Sequence, residues 1–290
     1  MSNLKLFFFI MNSKTFFSSG AIGIILMVLG QLCFSINDTI VKLEVKEVNN
    51  IYSTFNIIFI RGIFSSLFIF FYMFFFQKKN IIKIILTKKY YFRGFYEVLT
   101  ALFFFSGLIL MPVSQVYTFL MTNPFFVTIF AYFFLKEKVG IRRWSAVLIG
   151  FIGVIIVINP QRTDFNFIFI LPIFAAIFLT IRDIDTKGIV TKTNNFEIIF
   201  ITSILITFFS GMSSIYTGFD ISLNQLPNIF ISSIFLTVAY LFSVMTIFYA
   251  PLSLTASSRY SVIIFGIIFG YILLNEIPEI NMIIGATIIT

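Results

Sequence analysis

The sequence predicts an all-α integral membrane protein with ten transmembrane helices in two inverted halves of five. Three observations predict this fold. Of the 290 residues, 59% are hydrophobic and only 11% are charged, and the mean hydropathy is +1.03. The apolar residues form runs long enough to cross a bilayer, and similar residues recur at a fixed distance along the chain. Because roughly a quarter of the residues in soluble domains are charged, the soluble enzyme classes are excluded.

Missing residue types exclude several kinds of chemistry. The chain has no histidine, and so lacks the usual general base and the commonest transition-metal ligand. Its single cysteine, Cys33, can form neither an internal disulfide nor a cysteine zinc cluster, and is expected to be a buried apolar side chain. The net charge of +8 comes from basic residues in short connections, where they set membrane topology. We therefore expect no metal, no cofactor and no nucleic-acid partner.

Charge clusters and turn residues divide the apolar runs into ten predicted spans, each expected to need about 20 residues to cross roughly 30 Å of hydrocarbon. The predicted spans are residues 20–41, 51–76, 91–111, 114–135, 144–158, 167–184, 196–218, 229–249, 252–274 and 278–290. The last would be only about 20 Å long at 1.5 Å per residue. It is therefore expected to be a truncated helix, with the chain continuing past Thr290.

The basic residues also predict orientation. If the N-terminus is cytoplasmic, most of the 20 Lys and Arg residues fall on the inner side, as they do in short cytoplasmic loops. Lys83, Arg93, Arg182 and Lys187 are among them, whereas Lys42 falls on the outer side. This predicts a multi-pass protein of the bacterial cytoplasmic (inner) membrane, with residues 1–19 as a cytoplasmic tail and both termini in the cytoplasm.

The two halves of the chain repeat each other. Positions 139 or 145 residues apart match, and the pairs include Pro112 with Pro251, Ser114 with Ser253, Glu137 with Glu276, Asp38 with Asp183 and Lys42 with Lys187. Five is an odd number of spans, so the second half must be inverted relative to the first. Inverted repeats are typical of secondary transporters, in which the substrate binds near the midplane between the copies. Duplicated channels and scaffolds are the alternative.

Motifs in both halves resemble one known family. They are Ser35-Ile36-Asn37-Asp38, Phe59-Ile60-Arg61-Gly62, Asn123-Pro124-Phe125-Phe126, Leu135-Lys136-Glu137-Lys138, Ala250-Pro251, Arg259-Tyr260 and Asn275-Glu276-Ile277-Pro278. Their order resembles the EamA family of the drug/metabolite transporter (DMT) superfamily over nearly the whole chain. The resemblance implies two EamA repeats, residues 20–160 and 161–290, and transport of a small metabolite. Asn37-Asp38, Arg182-Asp183 and Arg259-Tyr260 also look like the branch that takes up S-adenosylmethionine.

Charged residues inside the predicted spans are the first candidates for a site, because a charge in the hydrocarbon core is costly and usually faces a cavity or a partner. Arg61 is expected either to contact substrate or a gate, or to form an ion pair with Asp38. Arg259 is expected to hold a substrate carboxylate or the carbonyls of a broken helix. Glu97 either pairs locally with Arg93 or couples transport to protons.

A zwitterion such as an amino acid or S-adenosylmethionine needs groups of both signs and aromatic faces. The tyrosines have packing or the membrane interface as alternative roles. Asn123 precedes Pro124, which bends the helix, and is expected to line the cavity at the bend. The predicted substrate-binding residues are Asp38, Arg61, Tyr117, Asn123, Arg259 and Tyr260, and the predicted coupling residues are Asp38 and Glu97.

These features predict a secondary transporter that moves a small organic metabolite by alternating access, and not an enzyme. The sequence contains no phosphate-binding glycine loop that would indicate the use of ATP. Export of amino acids or drugs in the same family is one alternative. A membrane enzyme would need a nucleophile and a base, and a channel would need repeated polar rings. The expected partners are a small-molecule substrate and the lipid bilayer. The spacing of Gly266 and Gly270 permits close helix contacts within the chain or in a homodimer.

Overall fold

A computed structural model describes residues 18–48, 53–158, 167–219 and 221–278, with positions 280, 283, 284 and 287. These residues form helices and connections, without a strand among them. The tail at residues 1–19 lies almost wholly outside the described residues. In chain order the α-helices are α1 Ser19–Val48, α2 Ser53–Tyr72, α3 Ile81–Ile85, α4 Lys89–Leu110, α5 Val113–Leu120, α6 Asn123–Phe134, α7 Ile141–Ile158, α8 Ile170–Val190, α9 Asn195–Thr217, α10 Leu226–Tyr249, α11 Leu252–Thr255 and α12 Ser261–Leu274.

Eight stretches of the described residues are long and apolar enough to cross a membrane. They correspond to the first four predicted spans and to the sixth through the ninth. The fifth predicted span lies in α7, and the tenth lies for the most part outside the described residues. An all-α membrane protein is therefore confirmed, while the count of ten helices stays a prediction. The eight stretches are Ser19–Val45, Thr54–Gln77, Lys89–Leu110, Gln115–Phe134, Phe167–Lys192, Asn195–Tyr216, Leu223–Tyr249 and Leu252–Leu274.

Two helices continue past their predicted ends, α1 to Val48 and α8 to Val190. The predicted spans end next to charged residues, but in the structure the lysines there are bound inside the protein. Lys42 Nζ donates to the Met111 carbonyl oxygen at 2.6 Å, and Lys187 Nζ donates to that of Ala250 at 2.9 Å. A charge that is satisfied by protein groups does not have to leave the membrane. The assignment of these two lysines to loops was therefore wrong.

Two spans are discontinuous. The fourth breaks between α5 and α6, and Pro124 lies in the first turn of α6, where its missing N–H costs least. The ninth passes from α11 through a 3₁₀ turn, Ser257–Tyr260, into α12. Broken helices are tolerated at membrane depth only where protein or a cavity satisfies the freed backbone groups. The bend predicted from Pro124 is therefore a complete break, and the second half has a break at the corresponding place.

Helices from the two halves of the chain pack against each other. The most extensive contacts join α1 with α10, α2 with α9, and α4 with α8. Large apolar side chains such as Phe75, Phe76 and Phe133 face outward and are exposed. The charged side chains of the spans face inward, and their mutual contacts create the site described next.

Candidate functional site

A cavity lies among α1, α2, α4, α5, α8, α10 and the break before α12. Its lining carries charges of both signs together with aromatic rings. The charged lining residues are Asp38, Arg61, Glu97, Arg182 and Arg259, and the aromatic ones are Phe34, Phe104, Phe105, Tyr117 and Tyr240. In the part of the chain that the structure describes, His, Cys, Asp and Glu side chains form no group of three that could hold a metal ion.

Asn37 joins Asp38 to Arg61 on one wall of the cavity. Arg61 Nη1 donates to Asn37 Oδ1 at 3.0 Å, and Asn37 Nδ2 donates to Asp38 Oδ1 at 2.7 Å. The hydroxyl of Ser232 also donates to Asn37 Oδ1, at 2.8 Å, and that of Tyr117 donates to Asp38 Oδ2, at 2.8 Å. Asp38 thus accepts from an amide and a hydroxyl, while the guanidinium is one side chain away. A direct ion pair between Asp38 and Arg61, one of the two predicted alternatives for Arg61, is not formed in the structure, where Asn37 lies between the two charges.

Both arginines predicted to bind substrate keep unused donors. Arg61 is 2% exposed and lies over the ring of Phe105, 5.0 Å from its centroid. Arg259 is 3% exposed, and donates from Nη1 to Asn123 Oδ1 at 3.1 Å and lies 2.5 Å from Asp183 Oδ2 through Nη2. Among the described residues the Nε of each arginine has no hydrogen-bond partner. Since an unsatisfied buried donor costs about 1–3 kcal/mol, an acceptor on a ligand would be stabilised here.

Glu97 occupies a second charged wall. Its Oε2 accepts from Arg182 Nη1 at 2.6 Å and lies 3.8 Å from Arg93 Nη2, and its Oε1 accepts from the Tyr240 hydroxyl at 3.3 Å. Arg182 also donates to Asp183 Oδ1, from Nη2 at 2.6 Å and from Nε at 2.9 Å. The local pair with Arg93 is present, but Arg182 is the closer partner. Both arginines lie within predicted spans and are held by carboxylates inside the protein, and their assignment to the inner side of the membrane stays a prediction.

Four of the six predicted substrate-binding residues line this cavity, namely Asp38, Arg61, Tyr117 and Arg259. Asn123 lies behind it, because its Nδ2 donates to Thr180 Oγ1 at 2.8 Å and its oxygen holds Arg259. Tyr260 also lies behind, with its ring against Gly150 and its hydroxyl donating to the Val147 carbonyl oxygen at 3.1 Å. The substrate roles of all six residues stay predictions.

Several polar residues that line the cavity were not predicted as site residues, namely Gln31, Asn37, Thr100, Arg182, Tyr240 and Ser243. A signal for Arg182 was available, because the repeat that pairs Asp38 with Asp183 sets Arg182 at the depth of Asn37. No comparable signal marks Tyr240 and Ser243. They lie in an apolar run among residues of the same types that face lipid.

The described residues form helices with eight apolar spans and bury charges around a central cavity, which is the construction of a membrane transporter. Residues 21–159 match the EamA-like transporter family. Over these residues the resemblance to this family that was read from the sequence is confirmed.

Relatives from bacteria extend this result. The chain is 29% identical to an S-adenosylmethionine uptake transporter of Rickettsia bellii over 206 residues, which cover 68% of this chain and 70% of the relative. It is 37% identical to a riboflavin transporter of Vibrio cholerae over 100 residues, or 34% of each chain. A protein of known crystal structure, 13% identical, superposes with a TM-score of 0.63 over 93% of this chain and 92% of that one. The last similarity concerns the fold alone.

Proposed function

We propose that the chain is a secondary transporter of the bacterial inner membrane that moves a small zwitterionic metabolite, S-adenosylmethionine or a related amino-acid derivative, by alternating access. The observation that carries the proposal is the cavity, in which Asp38 lies near two arginines with unused donors. The Rickettsia relatives, named as S-adenosylmethionine uptake transporters, favour this cargo.

The chemistry of the lining suits such a cargo. Its carboxylate would accept from the Nε donors of Arg61 and Arg259, because guanidinium groups bind carboxylates well. Its ammonium or sulfonium would lie near Asp38 and against the aromatic faces of Tyr117 and Phe104, since cations are attracted to aromatic rings. The same division would accept amino acids, and the direction of transport does not follow from it.

Uptake into proteoliposomes tests this function. The vesicles would hold the complete protein and be given labelled S-adenosylmethionine, with unlabelled amino acids, purines and riboflavin as competitors. We expect saturable uptake that unlabelled S-adenosylmethionine suppresses. A riboflavin transporter is the second candidate, and the aromatic lining and the Vibrio relative support it. Competition by riboflavin alone would favour this candidate. Absence of uptake by folded, inserted protein would reject the S-adenosylmethionine assignment.

The inverted arrangement of residues 20–160 and 161–290, and the cytoplasmic termini, belong to the same proposal. They can be tested with a cysteine in place of Lys83, which is an exposed residue of α3 and lies near the start of α4. In a chain whose natural Cys33 is replaced by alanine, a membrane-impermeant maleimide should label Lys83→Cys only from the cytoplasmic side. Labelling from outside would reverse the predicted topology.

Close packing against Tyr117 gives a further prediction. Gly266 of α12 lies so near the Tyr117 ring that a Cβ would collide with it. We expect Gly266→Ala to displace the Tyr117 hydroxyl from Asp38 and to lower uptake by about tenfold, as loss of a hydrogen bond to a charged group would. Gly188→Ala is the matched control, since nothing lies within 4 Å of the added Cβ there. Equal uptake in the two variants would contradict a role for this contact.

A further inference from the structure

Two sets of contacts fasten the ends of the discontinuous spans to each other. The first set, here the first clasp, consists of Lys42, Met111, Val113 and Glu276. Glu276, just after α12, accepts from the backbone N–H of Val113 at 3.2 Å, where α5 begins. Lys42 joins them, with its Nζ 3.0 Å from Glu276 Oε1 and 2.6 Å from the Met111 carbonyl oxygen. The end of the ninth span is thus bound to the beginning of the fourth.

A second clasp lies at the other end of the same two spans, and its lysine binds backbone carbonyl oxygens. It consists of Glu137, Lys187, Ala250, Leu252 and Ser253. Glu137, just after α6, accepts from the N–H groups of Leu252 and Ser253 at 3.1 and 3.0 Å, where α11 begins. Lys187 Nζ donates to the Ala250 carbonyl oxygen at 2.9 Å. The glutamates, the lysines and the capped positions are the pairs that the internal repeat matches.

The two spans also meet at their breaks. Asn123, the first residue of α6, accepts from Arg259, which precedes α12, at 3.1 Å. The spans are therefore joined at the centre by this hydrogen bond and at each end by one clasp. If the two spans rotate about this central contact, the gap between them narrows at one end and widens at the other. One clasp can therefore open fully while the other stays closed.

We infer that Glu137 and Glu276 are positioning residues of the transport cycle, which close the two ends of the cavity in alternation. The inference rests on the proposed alternating access, and it assigns a role to the two glutamates that lie just after α6 and α12. The clasp of Glu137 closes the face that carries Lys83, since α4 starts near Lys83 and ends beside Met111 of the first clasp. The clasp of Glu276 closes the opposite face. An isosteric change of either glutamate to glutamine weakens the charge-assisted bonds of one clasp only.

A cysteine in the cavity measures which face is open. Thr100 lines the cavity near the middle of α4, and threonine and cysteine are similar in size. A Cys33→Ala, Thr100→Cys chain in sealed vesicles of both orientations would be labelled with an impermeant maleimide. The ratio of the two labelling rates reports the balance between the open faces and does not depend on the cargo. Failure of the uptake experiment would therefore leave this measurement interpretable.

We expect Glu137→Gln to raise the rate from the Lys83 face relative to the opposite face by about fivefold, and Glu276→Gln to lower this ratio by about fivefold. The double variant should return within about twofold of the unsubstituted chain. Glu197→Gln is the control, because Glu197 pairs with Lys79 at 3.0 Å on the Lys83 face but binds no end of a discontinuous span. Ratios that move in the same direction, or that stay unchanged in both variants, would overturn the inference. If a substitution only loosened the protein as a whole, the labelling rates from both faces would rise together and their ratio would stay unchanged. That result would also overturn the inference.

Discussion

Replacing Arg61 with alanine is expected to lower the uptake rate by about 100-fold or more while the chain still inserts into the membrane. The guanidinium is almost fully buried, holds Asn37 through a 3.0 Å hydrogen bond, and keeps its Nε free for a ligand. Removing one member of a buried pair of charges costs about 3–5 kcal/mol, because the other charge is left without compensation. If this free energy raises the barrier of the transport cycle, the rate falls by several powers of ten. Insertion should be unimpaired, because the variant has one charge fewer in a span.

Arg142→Ala is the matched control for this variant, since Arg142 is exposed and its loss removes the same charge. Initial rates in proteoliposomes would be compared at equal amounts of inserted protein. Folding would be followed by heating the protein with a thiol-reactive dye, because the chain's one cysteine, Cys33, is buried until the protein unfolds. Normal uptake in Arg61→Ala would reject a substrate role, whereas an early Cys33 reaction would show that the loss is one of folding.

The position of Asn37 between Arg61 and Asp38 allows a test of whether these two charged residues act together. If Arg61 and Asp38 act as a unit through Asn37, the effects of Arg61→Ala and Asp38→Asn on uptake should be strongly non-additive in a double-mutant cycle. Asn37→Ala should then remove most of this interaction, because it deletes both the 3.0 Å and the 2.7 Å hydrogen bonds. Additive effects of the two charge variants would show that the residues act independently.

The membrane fold could be predicted from the sequence because the bilayer requires about twenty predominantly apolar residues for each span, and spans such as Asn195–Tyr216 meet this requirement. The ends of α1 and α8 could not, because that requirement treats a charge as a loop signal. Whether Lys42 or Arg182 is tolerated inside depends on partners such as Glu276 and Glu97, which lie far away in sequence. A local pattern carries no information about such long-range pairing.

The site shows the same division. Asp38, Arg61 and Arg259 were identified because an isolated charge in an apolar run is costly wherever it lies. Their neutral supports were harder to recognise. Asn37 was noted only as part of a motif, and Asn123 was expected in the cavity, whereas its amide is bound by Thr180 and its oxygen by Arg259. A neutral polar residue at a helix break has several satisfactory positions, and only the packing of α6 against α8 selects one.

Glu97→Gln is expected to destabilise the protein far more than Arg182→Gln, although each removes one charge from the same ion pair of 2.6 Å. Arg93, Glu97, Arg182, Asp183 and Arg259 form a chain of alternating sign, linked by ion pairs. Without Arg182, the other four charges still form two pairs of opposite sign. Within this chain of charges, loss of Glu97 leaves three arginines with the carboxylate of Asp183, and an uncompensated buried charge costs about 3–5 kcal/mol. The partly buried Asp185 lies near Arg93 but outside the chain.

The midpoint of the Cys33 reaction on heating measures the difference. For a chain of this size, the cost should lower the midpoint by about 10 °C in Glu97→Gln, with a much smaller fall in Arg182→Gln. The double variant should be more stable than Glu97→Gln alone, because it restores the original charge balance. Glu197→Gln is the control and should change the midpoint by only about 1–2 °C, because its partner Lys79 is partly exposed and a glutamine oxygen can still accept from the Tyr90 hydroxyl. If Glu97 is instead a proton-coupling residue, its glutamine variant should keep the native midpoint and lose the pH dependence of uptake. That result would contradict the structural role argued from the chain of charges.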